Sequence, residues 1–157
     1  MDNQIKYYFN NQEHYLTITK FKAFESLDFI LSLCNFLPND IKISEEVTIK
    51  KETIKYVIDI VMDIGENQSL HPDQQEYLKN LHEINILKLI FKEAFYNSGK
   101  EQRSLITNKL IGLLLQNNAP VQPELIDIIF DNPKKLFANL IKIFEFNYYN
   151  FFLITNA

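Results

Sequence analysis

The chain has 157 residues, 46% apolar and 23% charged, with a formal net charge of −4. That length suits one domain with a core large enough to need neither disulfides nor metal, and the apolar content excludes wholesale disorder. The lysines are scattered among acids, which argues against the positive face that a nucleic-acid backbone requires, and the lone Cys34 excludes an intrachain disulfide.

Residues 4–19, QIKYYFNNQEHYLTIT, read as a β-hairpin, because two runs rich in Ile, Tyr, Phe and Thr flank the polar cluster Asn10-Asn11-Gln12-Glu13. Asparagine tolerates the left-handed backbone of a tight turn. In the second run Leu16 and Ile18 alternate with Tyr15 and Thr17, the period of a strand with one buried face. An isolated hairpin is marginal in water, so it has to lean on a neighbouring element.

A first helix begins near Ala23 and ends before Pro38. On a helical wheel Glu25, Asp28, Ser32 and Asn35 form one narrow stripe. Phe24, Leu27, Phe29, Ile30, Leu31, Leu33, Cys34, Phe36 and Leu37 occupy the rest, the pattern of an interior helix. Residues 41–49 are compatible with either a short extended segment or a helical start. A second helix runs from about Lys50 to Gly65, with Ile54, Val57, Ile58, Val61 and Met62 on one stripe. Residues 65–73 read as a loop and 73–81 as a short helix behind Pro72.

Further helices are predicted at about 83–97, 101–117, 123–131 and from Pro133 onward. Leu105, Ile106, Leu110, Leu113 and Leu114 are the expected buried face of the one at 101–117, and Asn117-Asn118-Ala119-Pro120 its stop. Pro133 suits a first helical position behind an Asn132 cap. The last helix is amphipathic through Glu145, beyond which Phe146, Tyr149 and Leu153 fall on its polar side. The expected fold is mainly α: a compact bundle of about six or seven helices with a small N-terminal β-hairpin. It is read as a single domain over 1–157, made of the hairpin (1–20), a helical core (21–145) and an aromatic tail (146–157).

Little in this pattern carries chemistry. His14, His71 and His82 form no metal-ligand spacing. Asp59 and Asp63 lie one turn apart, with Glu66 beyond, but lack the matching acids and histidine of a helical di-metal site. Cys34 has apolar neighbours, unlike a reactive thiol. Gly65, Gly99 and Gly112 stand alone, so no phosphate loop is formed. The expectation is no enzyme, no catalytic or metal residues and no cofactor. The N-terminus lacks the basic head and apolar run of a signal peptide. No apolar segment approaches the roughly 20 residues that span a bilayer. A soluble cytoplasmic protein with no nucleic-acid or membrane partner is therefore expected.

The tail is the strongest candidate for contact with a protein partner or with a second subunit in a homo-oligomer, through Phe146, Tyr148, Tyr149, Phe151 and Phe152. Three fates compete for it: packing on the chain's own core, adding a strand to the N-terminal hairpin, or docking on another subunit.

The stretch IKYYFNNQEHYLTITKFKAFESLDFILSLCNFL, a strand pair with a polar turn followed by a leucine-rich helix, resembles small phage or prophage morphogenesis proteins, tail assembly chaperones most of all. The abundance of Ile, Asn, Lys, Phe and Tyr also looks like a plasmid- or prophage-borne protein of an AT-rich bacterium such as a spirochaete. The resemblance implies a non-enzymatic protein that self-associates and binds a tape-measure or tail-tube protein. The alternatives are an immunity or antitoxin-like protein that neutralises a basic partner and, third, a small metal-dependent enzyme using His71, His82 and the acids of the second helix.

Overall fold

A computed structural model describes residues 2–63, Pro72 and 85–149. The predicted short helix at 73–81 lies outside the described residues, as does the loop at 65–73 apart from Pro72. The order of elements is β1 (Gln4–Phe9), β2 (Gln12–Ile18), α1 (Ala23–Asn35), β3 (Asp40–Lys42), β4 (Thr48–Lys50), α2 (Lys51–Asp63), α3 (Ile86–Asn97), α4 (Lys100–Ile111), β5 (Leu114–Gln116), β6 (Ala119–Pro120), α5 (Pro123–Ile129) and α6 (Pro133–Tyr148). The chain divides into two compact units: residues 1–26 with 99–147, and residues 27–98 with 148–157.

A mainly α bundle carrying only a small hairpin does not describe this chain. Among the described residues there are six helices, a four-stranded antiparallel sheet in the order β1-β2-β5-β6 and a separate two-stranded sheet, β3-β4. The predicted hairpin is half of the larger sheet. The other half comes from residues read as the end of a helix: Gly112 closes α4, and the chain turns into β5, where Leu114 and Leu115 pair with Ile18 and Thr17. Leucine favours helices in isolation, but pairing with the open side of β2 and complete burial of Leu114 override that preference.

In the first unit both hairpins of the sheet turn on the same dipeptide. Asn10 and Asn11 have φ of 52° and 62°, and Asn117 and Asn118 have 51° and 64°. Two successive positive φ values in a two-residue loop are the type I′ pattern, whose twist matches that of the flanking strands. One sheet face is dry: Ile5, Tyr7, Leu16, Ile18 and Leu114 are buried. Ile106 and Leu110 of α4, Ile126 and Ile129 of α5, and Leu140, Ile143 and Phe144 of α6 are buried as well.

The start of α6 is the expected one. Asn132 Oδ1 accepts the Lys135 N–H at 2.8 Å and Pro133 takes the first helical position, so the cap supplies one missing acceptor where proline needs none. Near its other end Asn147 fastens the chain that leads into α1. Its Oδ1 accepts the Phe21 N–H at 2.8 Å, and its Nδ2 donates to the carbonyls of Ile143 at 3.0 Å and Thr19 at 3.3 Å.

The second unit holds most of α1, the β3-β4 pair, α2 and α3. The ambiguous stretch 41–49 is a hairpin, in which Ile41 opposes Ile49, both buried, and Asp40 opposes Lys50. Lys51 opens α2, donating its backbone N–H to Asn39 O at 2.9 Å and its ammonium to Asn35 O at 3.1 Å. α2 buries Ile54, Val57, Ile58 and Ile60, and α3 buries Ile86, Ile90, Phe91 and Ala94, with Phe91 stacked on Phe95 at 5.6 Å.

α1 is one-sided, in contrast to the interior helix that its composition predicts. Phe29, Ile30, Leu33 and Cys34 are buried, whereas Phe24 is 83% exposed and Leu31 is exposed too. On the wheel these two residues border the stripe of Glu25, Asp28, Ser32 and Asn35, and the whole arc faces water. Leu105 is likewise 59% exposed on α4 instead of buried.

Candidate interaction surface

The second face of the four-stranded sheet points to solvent. The register places Lys6 opposite Tyr15 and Tyr8 opposite Glu13, so these four side chains share that face. Tyr8 is 67% exposed and Tyr15 is exposed beside it, with Phe9 exposed at the hairpin tip. Diagonal neighbours across an antiparallel pair lie about 7–8 Å apart, close enough for the two tyrosines to act as one patch.

Polar contacts hold this patch in place. Lys6 Nζ lies 2.9 Å from Glu13 Oε1 and 5.5 Å from the centre of the Tyr8 ring, and the Tyr15 hydroxyl donates to Glu13 Oε1. The hydrogen bond from Tyr15, followed by that from Lys6, holds the Glu13 carboxyl below the usual carboxylate range. The same pairing raises the Tyr15 phenol, and Glu13 with Tyr8 raises the Lys6 ammonium above its ordinary value. Lys6 is thus a satisfied cation with its ion pair on the strand, and the aromatic rings are the part of the face left to contact another molecule.

On the dry face Tyr7 stacks on His14, with ring centroids 5.2 Å apart, and its hydroxyl accepts a hydrogen bond from Gln116 Nε2. Burial raises the Tyr7 phenol above its ordinary value, against the opposing effect of Gln116. His14 is therefore a half-buried packing partner within the sheet.

The residues singled out in the tail separate on α6. Phe146 is half-buried with Lys20 Nζ 5.7 Å from its ring centre, Tyr148 is 1% exposed and stacked on Phe29 at 6.3 Å, and Tyr149 is exposed. Phe151 and Phe152 lie outside the described residues. The third strand of the sheet is 114–116, and the tail through Tyr148 continues the helix.

Of the candidate chemical groups, His71, His82 and Glu66 lie outside the described residues and Asp59 is exposed on α2. Cys34 is buried, and that burial pushes its thiol up to about 11, with Lys55 and Lys51 acting weakly in the other direction. A thiol so protonated at neutral pH is a poor nucleophile. Among the described residues no three His, Cys, Asp or Glu side chains converge on a metal position. An open cleft of about 300 Å³ is lined by Asp2, Ala138, Ile141, Lys142 and Glu145. Its ammonium is already occupied, since Lys142 Nζ lies 3.8 Å from Asp2 Oδ2 and donates to the Gln4 carbonyl. No helix among the described residues is long and apolar enough to cross a membrane.

Sequence reasoning missed Tyr8 and Tyr15 as surface residues. The signal was present in the alternation of β2, since placing Leu16 and Ile18 inside forces Tyr15 outside, and the two-residue turn then carries Tyr8 to the same face. No protein family, curated protein or solved structure matches the chain.

Proposed function

We propose that this protein is a non-enzymatic binding or assembly module that works through the aromatic solvent face of its four-stranded sheet. The observation that carries the reading is the Tyr8–Tyr15 patch, exposed on the four-stranded sheet beside the Lys6–Glu13 pair. Tyrosines of this kind bring large contact area at small entropic cost, and exposed aromatic patches mark contact surfaces. A buried, protonated Cys34 and the internally satisfied Lys142 also favour binding over catalysis.

In its specific form, suggested by the N-terminal resemblance, the module is a tail-assembly chaperone that self-associates and takes a phage structural protein as client. Sedimentation velocity over a wide concentration range tests the assembly reading. Self-association is expected for the unmodified chain, with weakening on Tyr8→Ser/Tyr15→Ser, and a protein that stays monomeric at all concentrations contradicts it.

The net charge of −4 and the exposed Glu45 and Glu46 beside exposed Val47 support a second reading, capture of a basic partner protein. Such a complex would weaken steeply with salt, whereas association through the tyrosine face would not.

A further inference from the structure

β1 is an edge of the sheet, and its register identifies which backbone groups that edge presents. Phe9 and Gln12 close a two-residue turn and therefore form a hydrogen-bonded pair, which by alternation makes Tyr7/His14 and Ile5/Leu16 bonded pairs too. The bond from Ile18 N–H to Asn3 O at 2.6 Å continues the series. Gln4, Lys6 and Tyr8 consequently direct their N–H and C=O groups away from β2. Those of Gln4 are engaged, its N–H by Asp2 Oδ1 at 3.1 Å and its carbonyl by the Lys142 ammonium. For Lys6 and Tyr8 no hydrogen bond from the backbone to another element is made among the described residues, although α5 approaches β1. Backbone groups without a protein partner belong to water or to an incoming strand.

The opposite edge differs. β6 is two residues long and ends in Pro120, which has no N–H to offer. β1 contains neither proline nor bulge, and its lysine is a weak deterrent because Lys6 stands on the solvent face and is neutralised by Glu13. The unblocked strand is the one with two open residues.

We propose that a second copy of this chain adds its β1 antiparallel to this β1, about a two-fold axis passing beside Tyr7, so that two four-stranded sheets join into one. This rests on the assembly reading above and names its partner and its seam. Two open residues related by a two-fold axis have one register that uses both, Lys6 opposite the partner's Tyr8 and Tyr8 opposite the partner's Lys6. The charges agree with that register. Along the solvent face each ammonium meets the partner's Tyr8 ring and, one strand further, its Glu13. Sliding by one pair in one direction sets Tyr8 against the partner's Gln4, whose N–H and carbonyl are already engaged, and sliding in the other sets Lys6 against Asn10, whose φ of 52° has left the strand. Self-complementarity of this kind favours a second copy over a foreign strand, which has no reason to place an aromatic ring opposite Lys6.

Amide hydrogen exchange on the unmodified protein, run alongside sedimentation velocity, tests the seam. The expected result is that the Lys6 and Tyr8 amides exchange freely in dilute protein and become protected as association proceeds. Tyr8→Pro removes an outward N–H without touching a bond to β2 and is expected to weaken association at least tenfold beyond Tyr8→Ser, which loses the same ring and keeps the N–H. Its far-UV circular dichroism reports whether it folds, and if it does not, the exchange data on the unmodified chain decide. Association with both amides unprotected, or no weaker in folded Tyr8→Pro than in Tyr8→Ser, overturns the seam and leaves the assembly reading standing. A chain monomeric throughout overturns both.

Discussion

The two hairpins of the larger sheet share a turn and differ in nearly everything else. Phe9-Asn10-Asn11-Gln12 and Gln116-Asn117-Asn118-Ala119 both place two asparagines at positive φ. The first joins strands of six and seven residues, the second strands of three and two. The long pair carries its own alternation, ion pair and tyrosine patch and presents an unblocked edge. The short pair has no such network, ends in Pro120, and exists because β2 offers Leu114 and Leu115 a place to pair. A turn signal alone therefore does not make a hairpin legible. The strands beside it must be long enough to show a period of two, or a neighbour must supply the pairing.

The largest effects are expected in the shared core. Leu16→Ala in β2 and Leu114→Ala in β5 each remove a fully buried side chain, and each should cost about 2–5 kcal/mol in denaturant unfolding. A loss below about 1 kcal/mol for Leu114→Ala alone would break the claim that the short strand is as much part of the core as the long one. Next come the turns. Asn10→Val and Asn117→Val put a β-branched residue at positive φ, at a cost of about 1–3 kcal/mol each. Asn11→Gly and Asn118→Gly should be close to neutral. If Asn117→Val were harmless, the two turns would not be equivalent.

The smallest effect separates the hairpins by pH. The folded Glu13 carboxyl is depressed, so its contribution is fully present above the ordinary carboxylate pKa and is lost as pH falls through the lower folded value. Amide exchange in β1 and β2 should accelerate over that acidic window, whereas β5 and β6, which carry no titrating pair, should not follow. Glu13→Gln should abolish the dependence, and persistence of it in that variant would assign the effect elsewhere.

Much of the architecture can be read from the residues. The N-terminal hairpin with its Leu16 and Ile18 face, the helix from Ala23, the Asn132-Pro133 start of α6 and the packed character of Cys34 all follow from period, capping and apolar neighbours. The half of the sheet formed by residues 114–120 does not, because Leu113-Leu114-Leu115 continues the helical spacing of α4. Against a helix stand Gly112 and the repeated Asn-Asn pair, signals weaker than a run of leucines. Phe24, Leu31 and Leu105 show the complementary error, since apolar residues at the border of a helix face remain in water whenever nothing is packed against that side. The surface with functional promise was hidden for a similar reason. Aromatic residues are densest in the tail, where Tyr148 is a core residue, while Tyr8 and Tyr15 become a patch only through the register of the hairpin.

Self-assembly of this chain through the tyrosine face and the β1 edge together is a proposal with a sharp spectroscopic consequence. Its most direct test is a mixed sample of isotope-labelled and unlabelled protein, in which contacts between copies are selected by filtered nuclear Overhauser measurements. A contact is expected between the Tyr7 Hα protons of the two copies, which in the proposed dimer face each other across a non-hydrogen-bonded pair about 4.5 Å apart at Cα. Self-association without that contact, or contacts between copies that map to another element, would contradict it.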